Sequence, residues 1–449
     1  MDSEDSMDFK DTEIKKVNNA ERAKMSLRSG VGSKCDICTG CGRCVGVANR
    51  ADIITQMPFL NGIEQTYAQG ETHTETSGTG ACLIAADIGT TTIAMKLYGT
   101  KGEWLDQYVC VNPQVSYGAD VLSRIQTSKE NADAARDMTD KVRQVLSRGI
   151  ACFRKKLQET DTVSGSAKDR NAENCAPEIR MVIAANTTMV YLLMGWDATE
   201  LGQAPFRVSH TGSVIWELEG IPVYIFPALS AFVGGDITAG IVACDMTKKE
   251  DITLLVDLGT NGEMVLGNSK RLIACSTAAG PAFEGGPNRG VWGADMVSLL
   301  ADLRKRKIVD ETGLLMEPYF DKGIDIGGVH VTQQSIRAIQ LAKGAIVAGI
   351  RILADRYGVA LEQIDRVVLA GGFGYYLKPE DAASIGLLPR ELVEKTVTGG
   401  NTALAGALRV GRKPEEDPFW ERETLQMELV NLAEVPEFEE LYFSSMELC

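Results

Sequence analysis

Two short stretches of this chain repeat one pattern, and that repeat constrains the fold more than any other feature. ADIGTTTIAMKLYG begins at Ala86 and VDLGTNGEMVLGNS begins at Val256, an offset of 170 residues. Each follows a short apolar run, reaches an Asp, turns through Gly and Thr, and returns to an apolar run. This order predicts a strand, a tight turn and a returning strand in each place. Two matching hairpins this far apart predict two similarly built lobes that face one another.

The two turns carry groups suited to a magnesium–triphosphate. Glycine lets the backbone approach a ligand closely, and the amides and threonine hydroxyls that follow can hydrogen-bond phosphate oxygens. Asp87 and Asp257 can orient Mg²⁺ through water, because that ion prefers oxygen ligands and keeps much of its hydration. The candidate phosphate-binding residues are Gly89, Thr90, Thr91, Thr92, Gly259, Thr260, Asn261 and Gly262. A lone turn of this kind is often only a hairpin, and its repetition favours a nucleotide site.

A third glycine motif follows a predicted buried strand. IDRVVLAGGFG ends at Gly374 and contains Gly371 and Gly372. A glycine turn after a strand suits close backbone approach to a base and ribose. Alone this motif would be weak, and it gains weight from the two hairpins that precede it.

The chain divides by composition into five segments. Residues 1–59 are polar and contain a cysteine cluster, and 60–80 read as a linker. Residues 81–250 and 251–412 alternate apolar runs with amphipathic stretches, which predicts two α/β lobes. Residues 413–449 form an acidic, amphipathic tail.

Four cysteines at a spacing of three lie near the start of the chain, in CDICTGCGRC. Cys35, Cys38, Cys41 and Cys44 fit the compact run that holds an iron–sulphur cluster. All four bind one [4Fe–4S] cluster, or Cys82 replaces Cys44 as the fourth ligand. A zinc knuckle is the alternative, although zinc sites usually separate their two cysteine pairs by a longer loop.

Charge and hydropathy exclude several classes of partner. The 449 residues hold 46 Lys and Arg against 61 Asp and Glu, a formal net charge of −15. An acidic chain repels nucleic acid and anionic membrane surfaces. The sequence contains no run of 18 or more apolar residues, so no membrane span is expected. The charged N-terminus and clustered thiols favour a reducing cytoplasm.

The order of hairpin, helical segment, hairpin and glycine turn resembles the actin-like ATPases. Several phrases more specifically resemble the ATP-dependent reductive activators of corrinoid proteins: NPQVSYGADVLSRI, NTTMVYLLMG, PALSAFVGGDITAG, VDLGTNGEMVLG, STAAGPAFEGG and LAGGFGYYLKPEDAASIGLLP. The resemblance runs from about residue 82 to 410. It implies a two-lobed α/β fold of the actin-like type (ASKHA, ribonuclease H-like), here with a short N-terminal iron–sulphur module.

That resemblance also implies an activity and partners. The family returns a Co(II) corrinoid to Co(I) on a corrinoid methyl-carrier protein, using ATP, Mg²⁺ and an iron–sulphur cluster. An electron donor such as ferredoxin or flavodoxin would supply electrons to the cluster. The sequence leaves the oligomeric state open, with a homodimer as one candidate.

Four further residues become candidates by analogy with related kinases and ATPases. Asp236 would position or deprotonate the water that attacks the γ-phosphate, or it is simply a helix N-cap. Asn186 would cap a helix whose N-terminus faces phosphate or partner. Gly280 and Glu284 would contact the nucleoside, with an exposed helix glutamate as the alternative for Glu284.

The cysteine module departs from the family pattern, because many corrinoid activators begin with a larger [2Fe–2S] domain of different spacing. Three rival functions therefore stay open. One is an activator of another low-potential enzyme, such as a 2-hydroxyacyl-CoA dehydratase or a double-cubane reductase. The others are an actin-fold small-molecule kinase with a zinc-binding extension and a non-hydrolysing actin-like scaffold.

Overall fold

The structure is a computed structural model that describes residues 81–163, 178–259, 261–279, 293–326, 329–374, 376–412 and 427–448. Several predicted features lie outside these residues: the four-cysteine cluster, the linker at 60–80, Thr260, Gly280 and Glu284.

The first of two large sheets is built from residues 81–228. Its strands are β1 (Ala81–Ile88), β2 (Thr92–Tyr98), β3 (Trp104–Val111), β4 (Glu178–Ala185), β5 (Gly212–Leu218) and β6 (Ile221–Ala228). Their order is β3-β2-β1-β4-β6-β5. β3, β2 and β1 form an antiparallel meander, β1, β4 and β6 run parallel to one another, and the edge strand β5 is antiparallel to β6.

The second sheet repeats a five-strand arrangement of the first sheet further along the chain, with its sixth strand at the opposite end. Its strands are β7 (Thr253–Leu258), β8 (Gly262–Gly267), β9 (Leu272–Thr277), β12 (Arg366–Ala370), β13 (Thr396–Gly400) and β14 (Met427–Val430); a separate small hairpin consists of β10 (Ile324–Ile326) and β11 (Val329–Val331). The order is β13-β12-β7-β8-β9-β14. Both predicted hairpins, β1–β2 and β7–β8, are therefore confirmed, at equivalent places in equivalent sheets.

Helices cover the sheets and connect them. They are α1 (Val121–Glu130), α2 (Ala132–Val163), α3 (Thr187–Met194), α4 (Gly235–Ala243), α5 (Gly293–Lys305), α6 (Gln333–Tyr357), α7 (Gly371–Gly374), α8 (Pro379–Ser384), α9 (Thr402–Arg412) and α10 (Phe438–Ser444). The long apolar helix α6 begins at a capping box of Thr332 and Ser335 and ends at Gly358, which adopts the left-handed conformation. None of the helices in the described ranges is long and apolar enough to cross a bilayer.

The buried side chains form three layers. The outer face of the first sheet packs against α2 and α3, and the outer face of the second sheet packs against α5, α6 and α8. A middle layer lies between the sheets and contains side chains of both, such as Leu83 and Leu255, together with α4 and α9. Because side chains alternate along a strand, Asp87 shares the inner face of β1 with Leu83 and Ala85, and Asp257 shares the inner face of β7 with Leu255.

Helix α9 follows β13 of the second sheet in the chain but packs extensively against α4, β1 and β4. The contact is close because it uses small residues: a Cβ on Gly406 would lie 2.0 Å from the backbone oxygen of Ala239 in α4. The last part of the 251–412 segment is therefore integrated with the first sheet.

Candidate functional site

The first turn, residues 89–91, lies at the inner end of the first sheet. Asp87 is the penultimate residue of β1, and the Gly89 amide donates to the backbone oxygen of Thr92 over 2.9 Å. The position suits glycine, since a Cβ there would lie 3.0 Å from that oxygen. Thr91 is exposed and Thr90 is half-buried, whereas the Thr92 hydroxyl is buried. Thr92 therefore serves the strand, and Thr90 and Thr91 are left to face a ligand.

Two buried side chains from residues 112–124 hold this turn. Asn112 Nδ2 donates to the Gly89 oxygen over 2.8 Å, and Arg124 on α1 donates to the Thr90 oxygen over 2.6 Å. Arg124 also donates to the Gly118 oxygen, and its side chain is fully buried. These two bonds occupy carbonyl oxygens of the turn, while the Gly89 amide is bonded to the Thr92 oxygen.

The second turn, residues 259–261, closes a hairpin with a shorter register: three residues separate the paired Leu258 and Gly262, whereas four separate the paired Ile88 and Ile93. Asp87 lies opposite Ala94 in its hairpin, whereas Asp257 lies opposite Glu263. The Gly259 amide donates to the Asn261 oxygen over 2.9 Å. Gly262 faces the outer core, where a Cβ would lie 3.3 Å from Ile346. Gly262 thus permits packing against α6 and does not line the cleft.

The glycine motif after β12 lies beside the second aspartate. Gly371 has φ +79°, and a Cβ there would lie 2.5 Å from Asp257 Oδ1. Gly374 is buried against Leu369 of its own strand. Gly371 therefore makes room for the Asp257 carboxylate, a role that the sequence did not suggest.

Two helix N-termini meet in the same region. Asn186 caps α3 by accepting from the Met189 amide over 2.9 Å, as expected, and its Nδ2 donates to the Thr90 hydroxyl over 3.2 Å. Gly234 is the N-cap of α4, so the N-cap alternative for Asp236 is corrected: Asp236 lies in the first turn of that helix. A Cβ on Gly234 would lie 2.5 Å from the Asn186 Cα, which brings both N-termini beside the first turn. Helix N-termini favour anions.

Asn401 is a site residue that the sequence reasoning missed. Its Oδ1 accepts from the Leu404 amide over 2.8 Å and so caps α9, while its Nδ2 donates to Asp87 Oδ2 over 2.6 Å. The signal available in the sequence was an Asn directly before the helix-forming stretch TALAGAL. The structure thereby links the end of the second sheet to the aspartate of the first.

Four carboxylates share the cleft, and each keeps part of its surface exposed: Asp87, Asp236, Asp257 and Glu263. Burial, opposed by the Asn401 hydrogen bond, raises the pKa of Asp87 to about 7. Burial raises the pKa of Asp236 to about 6, and burial with repulsion from Asp236 and Asp87 raises the pKa of Asp257 to about 8. Burial and the neighbouring aspartates raise the pKa of Glu263 well above its usual value. The mutual repulsion is the electrostatic condition that a bound cation relieves.

This donor set fits Mg²⁺ held through water. In the described part of the chain, none of the four carboxylates pairs with a lysine, arginine or histidine. Within the same residues, no three His, Cys, Asp or Glu side chains are arranged to hold a metal directly. A magnesium ion that keeps its own waters and phosphate ligands matches both observations.

The structure also bears on one alternative for the iron–sulphur ligands. Cys82 belongs to β1 and is 2% exposed within the outer core of the first sheet. A thiol in this position packs with apolar side chains and is not presented to a cluster. The Cys82 alternative is therefore disfavoured, while the four clustered cysteines lie outside the described residues.

Comparisons with known proteins agree with this architecture. Residues 82–249 match the family described as the RACo middle region, and residues 251–289 and 286–449 match the C-terminal domain of RACo, the ASKHA domain. A solved structure titled reductive activator for corrinoid, iron–sulphur protein superposes with a TM-score of 0.68 at 28% identity, covering 84% of this chain and 67% of the other.

Two named relatives are similar in sequence. The corrinoid activation enzyme RamQ of Eubacterium limosum is 28% identical over 424 residues, 80% of this chain and 69% of the relative. The [Co(II) methylated amine-specific corrinoid protein] reductase of Methanosarcina barkeri is 26% identical over 238 residues, 42% of this chain and 44% of the relative.

Fold and cleft together define a two-lobed protein of the actin-like ASKHA class, with its acidic groups gathered between the sheets. Within that class, the chain belongs to the RACo family, the reductive activators of corrinoid proteins.

Proposed function

We propose that this protein is an ATP-hydrolysing iron–sulphur protein that returns a corrinoid protein from Co(II) to Co(I). The observation that carries the proposal is the delivery of Asp87 and Asp257 by equivalent hairpins to one cleft, in a chain of the RACo family. The names of its relatives, a corrinoid activation enzyme and a Co(II) corrinoid protein reductase, support the same substrate class.

In the proposed nucleotide step, both turns bind the triphosphate. Backbone amides of residues 90–91 and 260–261 and the Thr90 hydroxyl donate to phosphate oxygens, while Asp87 and Asp257 orient the waters of Mg²⁺. Asp236 accepts a proton from the water that attacks the γ-phosphorus. The bond from that phosphorus to the bridging oxygen breaks, and ADP and inorganic phosphate are released.

In the proposed redox step, Cys35, Cys38, Cys41 and Cys44 would hold a [4Fe–4S] cluster. Bound there, a cluster would supply low-potential one-electron reduction of Co(II) to Co(I), and a ferredoxin or flavodoxin would donate a replacement electron. A one-electron gap of 59 mV is worth about 1.4 kcal/mol, so a shortfall of roughly 150 mV costs about 3.5 kcal/mol. Nucleotide binding that favours one lobe arrangement supplies free energy of this size. The proposed setting is the cytoplasm, and a homodimer is the assembly to examine first.

The decisive experiment is anaerobic reconstitution with iron and sulphide, followed by mixing with a cob(II)alamin-bearing methyl carrier, reductant and Mg-ATP. We expect the Co(I) spectrum only when ATP is present. Asp257→Ala should abolish this dependence, because it removes a carboxylate that orients Mg²⁺, whereas Cys38→Ala should remove the cluster and leave ADP binding unchanged.

Two results would contradict the proposal. One is the absence of any calorimetric affinity of the folded protein for adenine nucleotides. The other is a Co(I) yield that is the same with and without ATP. Ultraviolet–visible spectra and metal analysis of the reconstituted protein would separate an iron–sulphur cluster from a zinc knuckle.

A further inference from the structure

A fourth carboxylate faces the cleft from the second lobe. Glu263 is the second residue of β8 and lies directly opposite Asp257 in the neighbouring strand. Its neighbours Gly262 and Met264 face the outer core, while Val265 belongs to the middle layer. Because alternate residues of a strand point to opposite faces, Glu263 points to the same side as Asp257.

The first lobe has no equivalent of this residue. In its hairpin the residue opposite Asp87 is Ala94, and Asp87 is instead bonded to Asn401. The two hairpins match in their turns and aspartates, so this difference distinguishes their roles. The second hairpin presents two adjacent carboxylates, and the first hairpin presents one, which is stabilised by an amide donor.

The surroundings of Glu263 leave it available to a cation. It forms no ion pair with a basic side chain among the residues that the structure describes. The Asn261 side chain donates to it, and the Asp236 and Asp257 carboxylates lie close enough to repel it. Two adjacent acids with no basic partner are stabilised by a divalent cation.

We propose that Glu263 is a positioning residue that, together with Asp257, orients the water shell of the nucleotide-bound Mg²⁺ from the second lobe. This inference rests on the proposed nucleotide-binding function. Contact through water suits Mg²⁺, which keeps several of its own waters when it binds. Glu263 thereby gives the second hairpin two carboxylates toward the cation, while the first hairpin contributes Asp87 alone.

The test measures metal binding rather than turnover. Electron paramagnetic resonance of Mn²⁺, used in place of Mg²⁺, gives the affinity of the metal for the protein–ADP complex, and calorimetry with EDTA gives the affinity for metal-free ADP. We expect Glu263→Gln to weaken Mn²⁺ binding about tenfold, the size of effect typical of residues that orient metal ligands. Its metal-free ADP affinity should stay equal to or exceed that of the wild type, because one repulsive charge has been removed.

Two further variants separate this role from the alternatives. Glu217→Gln, at an exposed position on β5, should leave both affinities unchanged. Asn261→Ala should weaken metal-free ADP binding through the turn while retaining most of the Mn²⁺ affinity. If Glu263→Gln resembled Asn261→Ala, Glu263 would act only on the turn and the proposal would be wrong.

Unchanged Mn²⁺ binding in Glu263→Gln would also overturn it. A wild-type protein that binds neither form of ADP would instead defeat the nucleotide-binding function itself, so the two failures are distinguishable. Glu263→Asp, which keeps the charge and shortens its reach, provides a second variant. Glu263→Asp should give a Mn²⁺ affinity between those of the wild type and Glu263→Gln, and it keeps the test available if the glutamine variant fails to fold. Wild-type affinity in Glu263→Asp would contradict the proposal.

Discussion

At the residue scale, the aspartates of the cleft are buried close together, which disfavours their charged forms. Asp87, Asp236 and Asp257 have pKa values raised from 3.8 to about 7, 6 and 8, chiefly by burial. The folded protein therefore binds more protons than the unfolded chain between about pH 4 and pH 8. Each of these groups contributes stability at low pH that is lost as pH rises through its folded pKa.

The nucleotide-free protein should consequently become less stable as the pH rises. We expect its free energy of unfolding, measured by urea denaturation, to fall between about pH 5 and about pH 8.5. Asp257→Asn should reduce that slope, because Asp257 has the highest pKa of the three aspartates. Asp133→Asn, whose side chain is 87% exposed on α2, is the control and should leave the slope unchanged. Stability that rises with pH over this interval would contradict the interpretation.

Residues of the site were predictable where a local pattern announced them. Asp87 and Asp257 were found because an aspartate before Gly-Thr at the end of an apolar run is a local signature. Arg124 and Asn401 were missed because their partners, Thr90 and Asp87, lie 34 and 314 positions away. Glu263 was read only as part of a strand, although its alternation with Gly262 and Met264 places it on the face of Asp257 once the hairpin register is known.

At the element scale, the crossing of α4 and α9 joins the two sheets. Gly406 on α9 lies against the backbone of Ala239 on α4, and Gly240 lies against Thr402. The Gly406 contact is with backbone atoms of Ala239, which cannot move aside as a side chain can, whereas Gly240 meets the Thr402 side chain. The crossing distance is therefore set by the lack of a Cβ at Gly406.

Gly406→Ala should separate the two helices. Its added methyl group would lie 2.0 Å from the Ala239 oxygen, and we expect a loss of about 1–3 kcal/mol in the free energy of unfolding. Because Asn401 caps α9 and bonds Asp87, ADP affinity should fall as well. Ala405→Ser, at a half-buried position of the same helix, should change both quantities little. Wild-type stability in Gly406→Ala would show that the crossing tolerates expansion.

Prediction of the elements succeeded where the periodicity was local. The two hairpins follow from apolar runs on either side of a Gly-Thr turn, a pattern readable within about 20 residues. The docking of α9 on β1 and β4 was not predicted, because an apolar helix face does not specify which sheet covers it. The domain boundary at residue 412 was drawn from composition alone for the same reason.

At the scale of the whole molecule, the end of the chain belongs to the second lobe. β14 adds to the sheet beside β9, and α10 packs against α6. The buried Lys343 on α6 donates to the backbone oxygens of Ser445 and Glu447 over 2.5 and 2.6 Å. Residues 427–448, the part of the acidic tail that the structure describes, therefore pack on the second lobe.

This docking predicts that two side-chain substitutions in the same segment change the free energy of unfolding by unequal amounts. Leu448 is 1% exposed in the outer core of the second lobe, and Leu448→Ala should lower the free energy of unfolding by about 2–4 kcal/mol. Phe443 is 58% exposed, and Phe443→Ala should change it by less than about 0.5 kcal/mol. Urea denaturation checks both. Equal effects would mean that the C-terminal segment is not held as described.

The return of α9 to the first sheet has a consequence for how the protein is made. Synthesis proceeds from the N-terminus, so β1 and β4 leave the ribosome long before residues 402–412. Until those residues emerge, the inner face of the first sheet, with Leu83 and Val182, lacks the helix that covers it. The nascent chain therefore exposes an apolar surface until residues 402–412 have been made. The first lobe can reach its final form only after that point.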